Sequence, residues 1–134
     1  MSRREPEAWI VDDDEAIRWV LERALQHADI RVRGFEDPDT FRTALADSQP
    51  DVVITDIRMP GFDGLDLLSM LRREHPKLPV IVITAHSDLE TAVAAYQGGA
   101  FEYLPKPFDV DQAVELVRRA ATADGSAERD SRGL

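Results

Sequence analysis

The sequence predicts an α/β fold, a doubly wound five-stranded parallel sheet with helices on both faces. Three observations carry this expectation. Short apolar runs alternate five times with amphipathic segments along the chain. The apolar runs are nearly continuous, as expected of strands buried on both faces. Polar residues stand at the C-terminal ends of these runs, with carboxylates after the first and at the third. Right-handed crossovers leave few connections for such units. The common solution is the flavodoxin-like strand order 2-1-3-4-5, with its switch point between strands one and three.

Each element has its own signal. Residues 8–12 read as a buried strand, and residues 15–27 as a helix with Ile17, Val20, Leu21, Ala24 and Leu25 at helical spacing. Residues 30–35 are a more polar strand. Asp37-Pro38 opens a helix carrying Phe41, Ala44 and Leu45, since Pro suits the first turn. Residues 51–56 are apolar, β-branched and end in Asp56. A Pro60-Gly61 turn signal follows. Residues 64–74 place Leu65, Leu68 and Leu71 on one helical face, and residues 79–84 form the strongest strand. Ser87 and Glu90 have capping-box spacing, which starts the fourth helix near Ser87 and ends it at Gly98-Gly99. Residues 101–104 are a short strand. After Lys106, flanked by Pro105 and Pro107, a last helix carries Val110, Ala113, Val114, Val117 and Ala120. Residues 1–7 read as an N-terminal extension, 8–121 as one domain, and the polar residues 122–134 as a flexible tail or the start of an interdomain linker.

Composition narrows the function classes. The 134 residues suit a single domain, and 43% hydrophobic with 31% charged residues is ordinary globular usage. There is no cysteine, hence no disulfide, thiol catalyst or cysteine zinc site. No apolar run approaches the ~20 residues that span a bilayer, and no apolar stretch follows Arg3-Arg4 to make a secretory signal. A cytoplasmic protein with no membrane contact is therefore expected. The formal net charge of −10 opposes direct nucleic-acid binding.

The strand ends hold the chemistry. Asp12 and Asp13 end strand one, Asp56 strand three and Thr84 strand four, while Lys106 follows strand five. In the order 2-1-3-4-5 all five gather at one sheet edge. Two carboxylates about 4 Å apart repel by about 4 kcal/mol at an effective dielectric of about 20. Such a group holds either a proton or a cation, and hard oxygen donors at an open edge suit Mg²⁺. A carboxylate beside a cation, a hydroxyl and an ammonium has the parts for phosphoryl transfer.

The runs Ile-Val-Asp-Asp-Asp-Glu, Ile-Thr-Asp-Ile-Arg-Met-Pro-Gly-Phe-Asp-Gly, Val-Ile-Thr-Ala-His and Tyr-Leu-Pro-Lys-Pro-Phe occur in this order. Together they resemble the CheY-like receiver domains of two-component response regulators, over residues 8–121. Longer runs such as Ala-Ile-Arg-Trp-Val-Leu-Glu-Arg-Ala-Leu and Thr-Ala-His-Ser-Asp-Leu-Glu-Thr-Ala-Val are similar to receivers of the NtrC family of nitrogen regulators. The resemblance implies that Asp56 is the phosphoacceptor and that Mg²⁺ or Mn²⁺ sits on Asp12, Asp13, Asp56 and the backbone carbonyl of Arg58. It implies phosphate contacts from Thr84 and Lys106, a Thr84–Tyr103 switch, and a cis Lys106–Pro107 peptide. The implied partners are a sensor histidine kinase and the ATPase and DNA-binding domains of a sigma-N-dependent activator, with homodimerisation on activation. The domain would be a phosphoacceptor rather than an enzyme in its own right, promoting its own phosphotransfer and hydrolysis.

Blander roles compete at each position. Asp14 and Glu15 read as capping and charging the first helix, and Ser87 as an N-cap. His27, His75 and His86 lack metal-site spacing. A metal-dependent phosphatase with an aspartyl nucleophile would commonly carry a second Asp where Arg58 stands. A flavin or nucleotide module would put Ser, Thr or Gly donors after strand one, where this chain has Asp.

Overall fold

A computed structural model describes residues 5–133 except Pro60, His86 and Ser87. Among the described residues, seven strands and five helices follow in order: β1 (Glu7–Val11), α1 (Glu15–His27), β2 (Arg31–Phe35), α2 (Pro38–Leu45), β3 (Val52–Asp56), β4 (Arg58–Met59), β5 (Phe62–Asp63), α3 (Gly64–Glu74), β6 (Val80–Ala85), α4 (Leu89–Gln97), β7 (Glu102–Lys106) and α5 (Val110–Gly133). The main sheet runs β2-β1-β3-β6-β7, every pair parallel. With the two-residue strands left out of the count, this is the order 2-1-3-4-5.

Strand alternation sorts the core into two layers. Ala8 and Ile10 of β1, Val52 and Ile54 of β3, and Ile81 and Ile83 of β6 face one side. There they pack on Leu21 and Leu25 of α1 and on Ala113, Val117 and Ala120 of α5. Their neighbours Trp9, Val11, Val53, Val80 and Val82 face the other side, against Phe41 of α2, Leu67, Leu68 and Leu71 of α3, and Ala95 of α4. Phe41 meets Trp9 and Phe35 edge to face, and Trp9 is tilted against Phe35, with ring centroids 5.2–5.9 Å apart. Both faces of the strands are covered, which is why they read as continuous apolar runs.

Aspartates open the helices. Asp14, Asp37, Asp63, Asp88 and Asp109 accept backbone N–H bonds at the starts of α1, α2, α3, α4 and α5. Asp14 thus has the capping role its position suggests. Asp37 accepts both the backbone N–H and the hydroxyl of Thr40, at 2.7 and 2.9 Å, and these bonds hold its carboxyl below the usual range. Asp37→Ala is expected to lower the urea midpoint of unfolding, with an unchanged m-value.

Two details differ from the expectation. The cap of α4 is Asp88, not Ser87, which lies outside the described residues as does His86. Asp88 takes the role because its carboxylate reaches both Thr91 N–H and Thr91 hydroxyl. The loop after β3 contains a small antiparallel ladder, Arg58 with Asp63 and Met59 with Phe62, turning at Gly61 with φ of 71°. The helical backbone of α5 runs to Gly133, and the last buried side chain described is Ala120.

At the sheet edge away from the strand C-termini, one side chain ties three segments. The Arg72 guanidinium donates to the carbonyls of His75 (3.1 Å), Leu78 (3.0 Å), Pro76 and, past the end of α4, Gly99 (3.1 Å).

Candidate functional site

The register gathers the polar strand ends at one edge. Val11 pairs with Thr55, so Asp12 follows β1 level with Asp56 at the end of β3. Asp56 pairs with Ile83, and Thr84 is the next residue on β6. Thr84 pairs with Pro105, the residue before Lys106. Carboxylate oxygens of Asp12, Asp13 and Asp56 lie within 4.8 Å of one another. Lys106 Nζ stands 3.5 Å from Asp56 Oδ2.

These groups have unlike surroundings. Asp12, Asp56 and Thr84 are buried, whereas Asp13 is exposed, because successive residues leave a strand on opposite sides. Asp12 Oδ1 accepts the backbone N–H of Asp14 at 2.9 Å. Burial pushes the Asp12 carboxyl up to about 6; the Asp14 hydrogen bond opposes this, the Asp56 charge adds to it, Lys106 opposes it, and Asp13 adds to it. Asp56 Oδ1 accepts Arg58 N–H at 3.2 Å, which turns the main chain at Arg58 toward the acceptor carboxylate.

Two buried side-chain atoms have no hydrogen-bond partner among the described residues: Asp12 Oδ2 and Thr84 Oγ1. A buried polar atom left unpaired costs about 1–3 kcal/mol. Both belong to this one edge. An unpaired carboxylate oxygen within a group of three carboxylates fits a hard divalent cation, and an unpaired hydroxyl at the same sheet edge, on the other side of β3, fits an anionic oxygen.

Tyr103 lies outside this cluster. It pairs with Val82, two residues before Thr84 on the neighbouring strand, and is half-buried. Its ring meets Tyr96 of α4 edge to face at 5.4 Å. The Tyr96 hydroxyl donates to Glu102, and burial with that carboxylate pushes the phenol up to about 12. The Lys106–Pro107 peptide is cis.

Residues 8–118 match the profile of the response regulator receiver domain. The chain belongs to that family. Over 112 residues this receiver is 61% identical to the DNA-binding transcriptional regulator NtrC of Salmonella typhimurium, and equally to that of Escherichia coli K12. Each match covers 84% of this chain and 24% of the relative, so the chain spans about a quarter of their length. The solution structure of the apo NtrC receiver domain superposes with a TM-score of 0.81 at 58% identity, covering 88% of this chain and 95% of that one. A crystal structure of NtrX from Brucella abortus gives 0.91 at 32% identity, covering 98% and 30%.

Three further residues shape the receiver's acidic edge. Gly64 packs so closely that a Cβ there would stand 2.6–2.8 Å from the backbone of Asp56 and Ile57. Arg18 of α1 donates to the Asp12 carbonyl at 2.6 Å. The Arg58 side chain turns away from the acids to pair with Asp88 at 2.7 and 3.0 Å. The Thr91 hydroxyl and then Arg58 hold Asp88 below the usual carboxylate range. Nothing in the local sequence marks these contacts, which join residues 6–30 apart.

Proposed function

We propose that this receiver accepts a phosphoryl group on Asp56 from the phosphohistidine of a sensor histidine kinase, or from a small acyl phosphate. The observation that carries the reading is the pair of unpaired buried atoms, Asp12 Oδ2 and Thr84 Oγ1, beside a carboxylate already facing Lys106. Asp12, Asp13, Asp56 and the Arg58 carbonyl would hold Mg²⁺ or Mn²⁺. When bound, that ion neutralises charge that the acids alone would turn against an incoming phosphate.

In the transfer a carboxylate oxygen of Asp56 attacks phosphorus. The bond from phosphorus to the donor nitrogen or acyl oxygen breaks, and the donor leaves with the electron pair, the imidazole taking a proton from water. Lys106 counters charge on the phosphoryl oxygens, and Thr84 Oγ1 donates a hydrogen bond to one of them. Hydrolysis of the aspartyl phosphate resets the domain.

The response is a shift between two arrangements of β6, α4 and β7. Thr84 moving toward the phosphoryl group makes room for Tyr103, whose ring touches Tyr96 on α4. Leu89, Val93 and Tyr96 form an exposed apolar stripe at helical spacing on α4, a surface suited to downstream domains or a second receiver. The likeness to NtrC supports control of a sigma-N-dependent transcription activator in nitrogen regulation, in the cytoplasm. On this reading the receiver would control ATPase and DNA-binding domains of a longer regulator.

The test is intact-mass measurement after incubation with acetyl phosphate. One phosphoryl group is expected on the wild type with Mg²⁺, and none with EDTA or in Asp56→Asn. An adduct that forms without a divalent cation, or that persists in the variant, would overturn the assignment.

A further inference from the structure

The chain satisfies all but one polar group of Asp12. Its N–H donates to Phe35 O on β2 at 3.0 Å. Its Oδ1 accepts Asp14 N–H at 2.9 Å. Its carbonyl accepts Arg18 Nη1 at 2.6 Å. Only Oδ2 is left, buried and without a partner among the described residues. The first two contacts are made by backbone amides, and the third depends on one side chain.

We propose that Arg18 is a positioning residue for the cation site, fixing the β1–α1 turn so that Asp12 Oδ2 and Asp13 meet the ion together. This rests on the phosphoacceptor reading above. The contact spans six residues, from the second turn of α1 back to the strand end, and closes the turn that carries Asp12, Asp13 and Asp14. Its contact with Asp12 is to the backbone carbonyl and not to the carboxylate, so it acts on the geometry of the turn. A charge-assisted bond to a carbonyl is about twice as strong as a neutral one. Without it, the carbonyl at the strand end is free to rotate, and the following carboxylate rotates with it.

The placement has an unusual sign. A cation near a metal site should repel the metal, so removing Arg18 for electrostatic reasons alone would tighten binding. Removing a residue that orients a ligand should weaken binding, typically 10–100-fold. The two roles therefore predict opposite changes.

The experiment is calorimetric titration of Mg²⁺ into metal-free wild type, Arg18→Met and Arg18→Lys, with thermal unfolding of each to confirm the fold. Arg18→Met is expected to bind about tenfold more weakly. Arg18→Lys, whose ammonium can reach the same carbonyl, should recover most of that loss. At saturating Mg²⁺, phosphoryl uptake by Arg18→Met should return to near the wild-type rate, because positioning for the ion is the function lost. Equal or tighter binding by a folded Arg18→Met would overturn the inference while leaving Asp56 as acceptor. Failure of the wild type itself to bind Mg²⁺ would overturn the phosphoacceptor reading and this inference with it.

Discussion

Asp12→Asn is expected to make the metal-free protein more stable at neutral pH while weakening its grip on Mg²⁺. Burial holds the Asp12 carboxyl near 6, above its ordinary value of 3.8. The folded state therefore binds a proton that the unfolded chain releases more readily. The associated stability is fully present below about pH 3.8 and is lost as pH rises through about 6. At pH 7.5 the ionised Asp12 costs the metal-free fold on the order of 2 kcal/mol. The amide carries no charge, and its oxygen can still accept Asp14 N–H. The melting temperature of Asp12→Asn in EDTA should thus exceed that of wild type at pH 7.5, and the gap should close at pH 4. Mg²⁺ should stabilise wild type at pH 7.5, as any ligand of the native state does, and stabilise the variant much less. A variant no more stable than wild type at pH 7.5 in EDTA would mean that Asp12 is better solvated than its burial indicates.

Gly64→Ala should lower stability by about 2 kcal/mol and slow phosphoryl uptake at least tenfold. The added Cβ would stand 2.6 Å from Ile57 Cα, 2.7 Å from Asp56 O and 2.8 Å from Ile57 O. All three are backbone atoms, so no side chain can swing aside to make room. Gly64 N–H also donates to Ile57 O at 2.8 Å, which fixes the start of α3 against the acceptor strand. Any relaxation must therefore move either α3 or the Asp56–Ile57 peptide. Gly61→Ala is the informative comparison. Gly61 has φ of 71°, yet a Cβ there would meet nothing within 4 Å. It should cost about 1 kcal/mol through backbone strain and leave the rate near wild type. Equal uptake rates for the two variants, read from quenched time points by intact mass, would show that Asp56 tolerates the displacement.

The sheet and the acidic edge were legible because both rest on simple periodicities. Buried parallel strands read as apolar runs, α1 and α3 follow their helical spacing to the residue, and strand order brings Asp12, Asp56 and Thr84 to one edge. What stayed hidden depends on contacts between distant residues. Ser87 and Asp88 are both good caps by type, and which one serves is decided by the reach of the carboxylate to Thr91. Gly64 reads as an ordinary residue between a turn and a helix until α3 is seated on β3. Arg18 reads as a solvated charge on an amphipathic helix, since only the turn of the chain after β1 brings the Asp12 carbonyl within its reach.

The two ends of α4 are held with unequal strength. At its start, Asp88 is tied to the loop after β3 by Arg58, an ion pair whose guanidinium side is 72% exposed and screened by water. Just past its end, the Gly99 carbonyl shares the Arg72 guanidinium with three others, and releasing it would disturb the connection into β6 as well. On the proposed switch, a displacement at Thr84 is expected to move the Asp88 end of α4 more than the Gly99 end, which the Arg72 guanidinium holds through a backbone carbonyl.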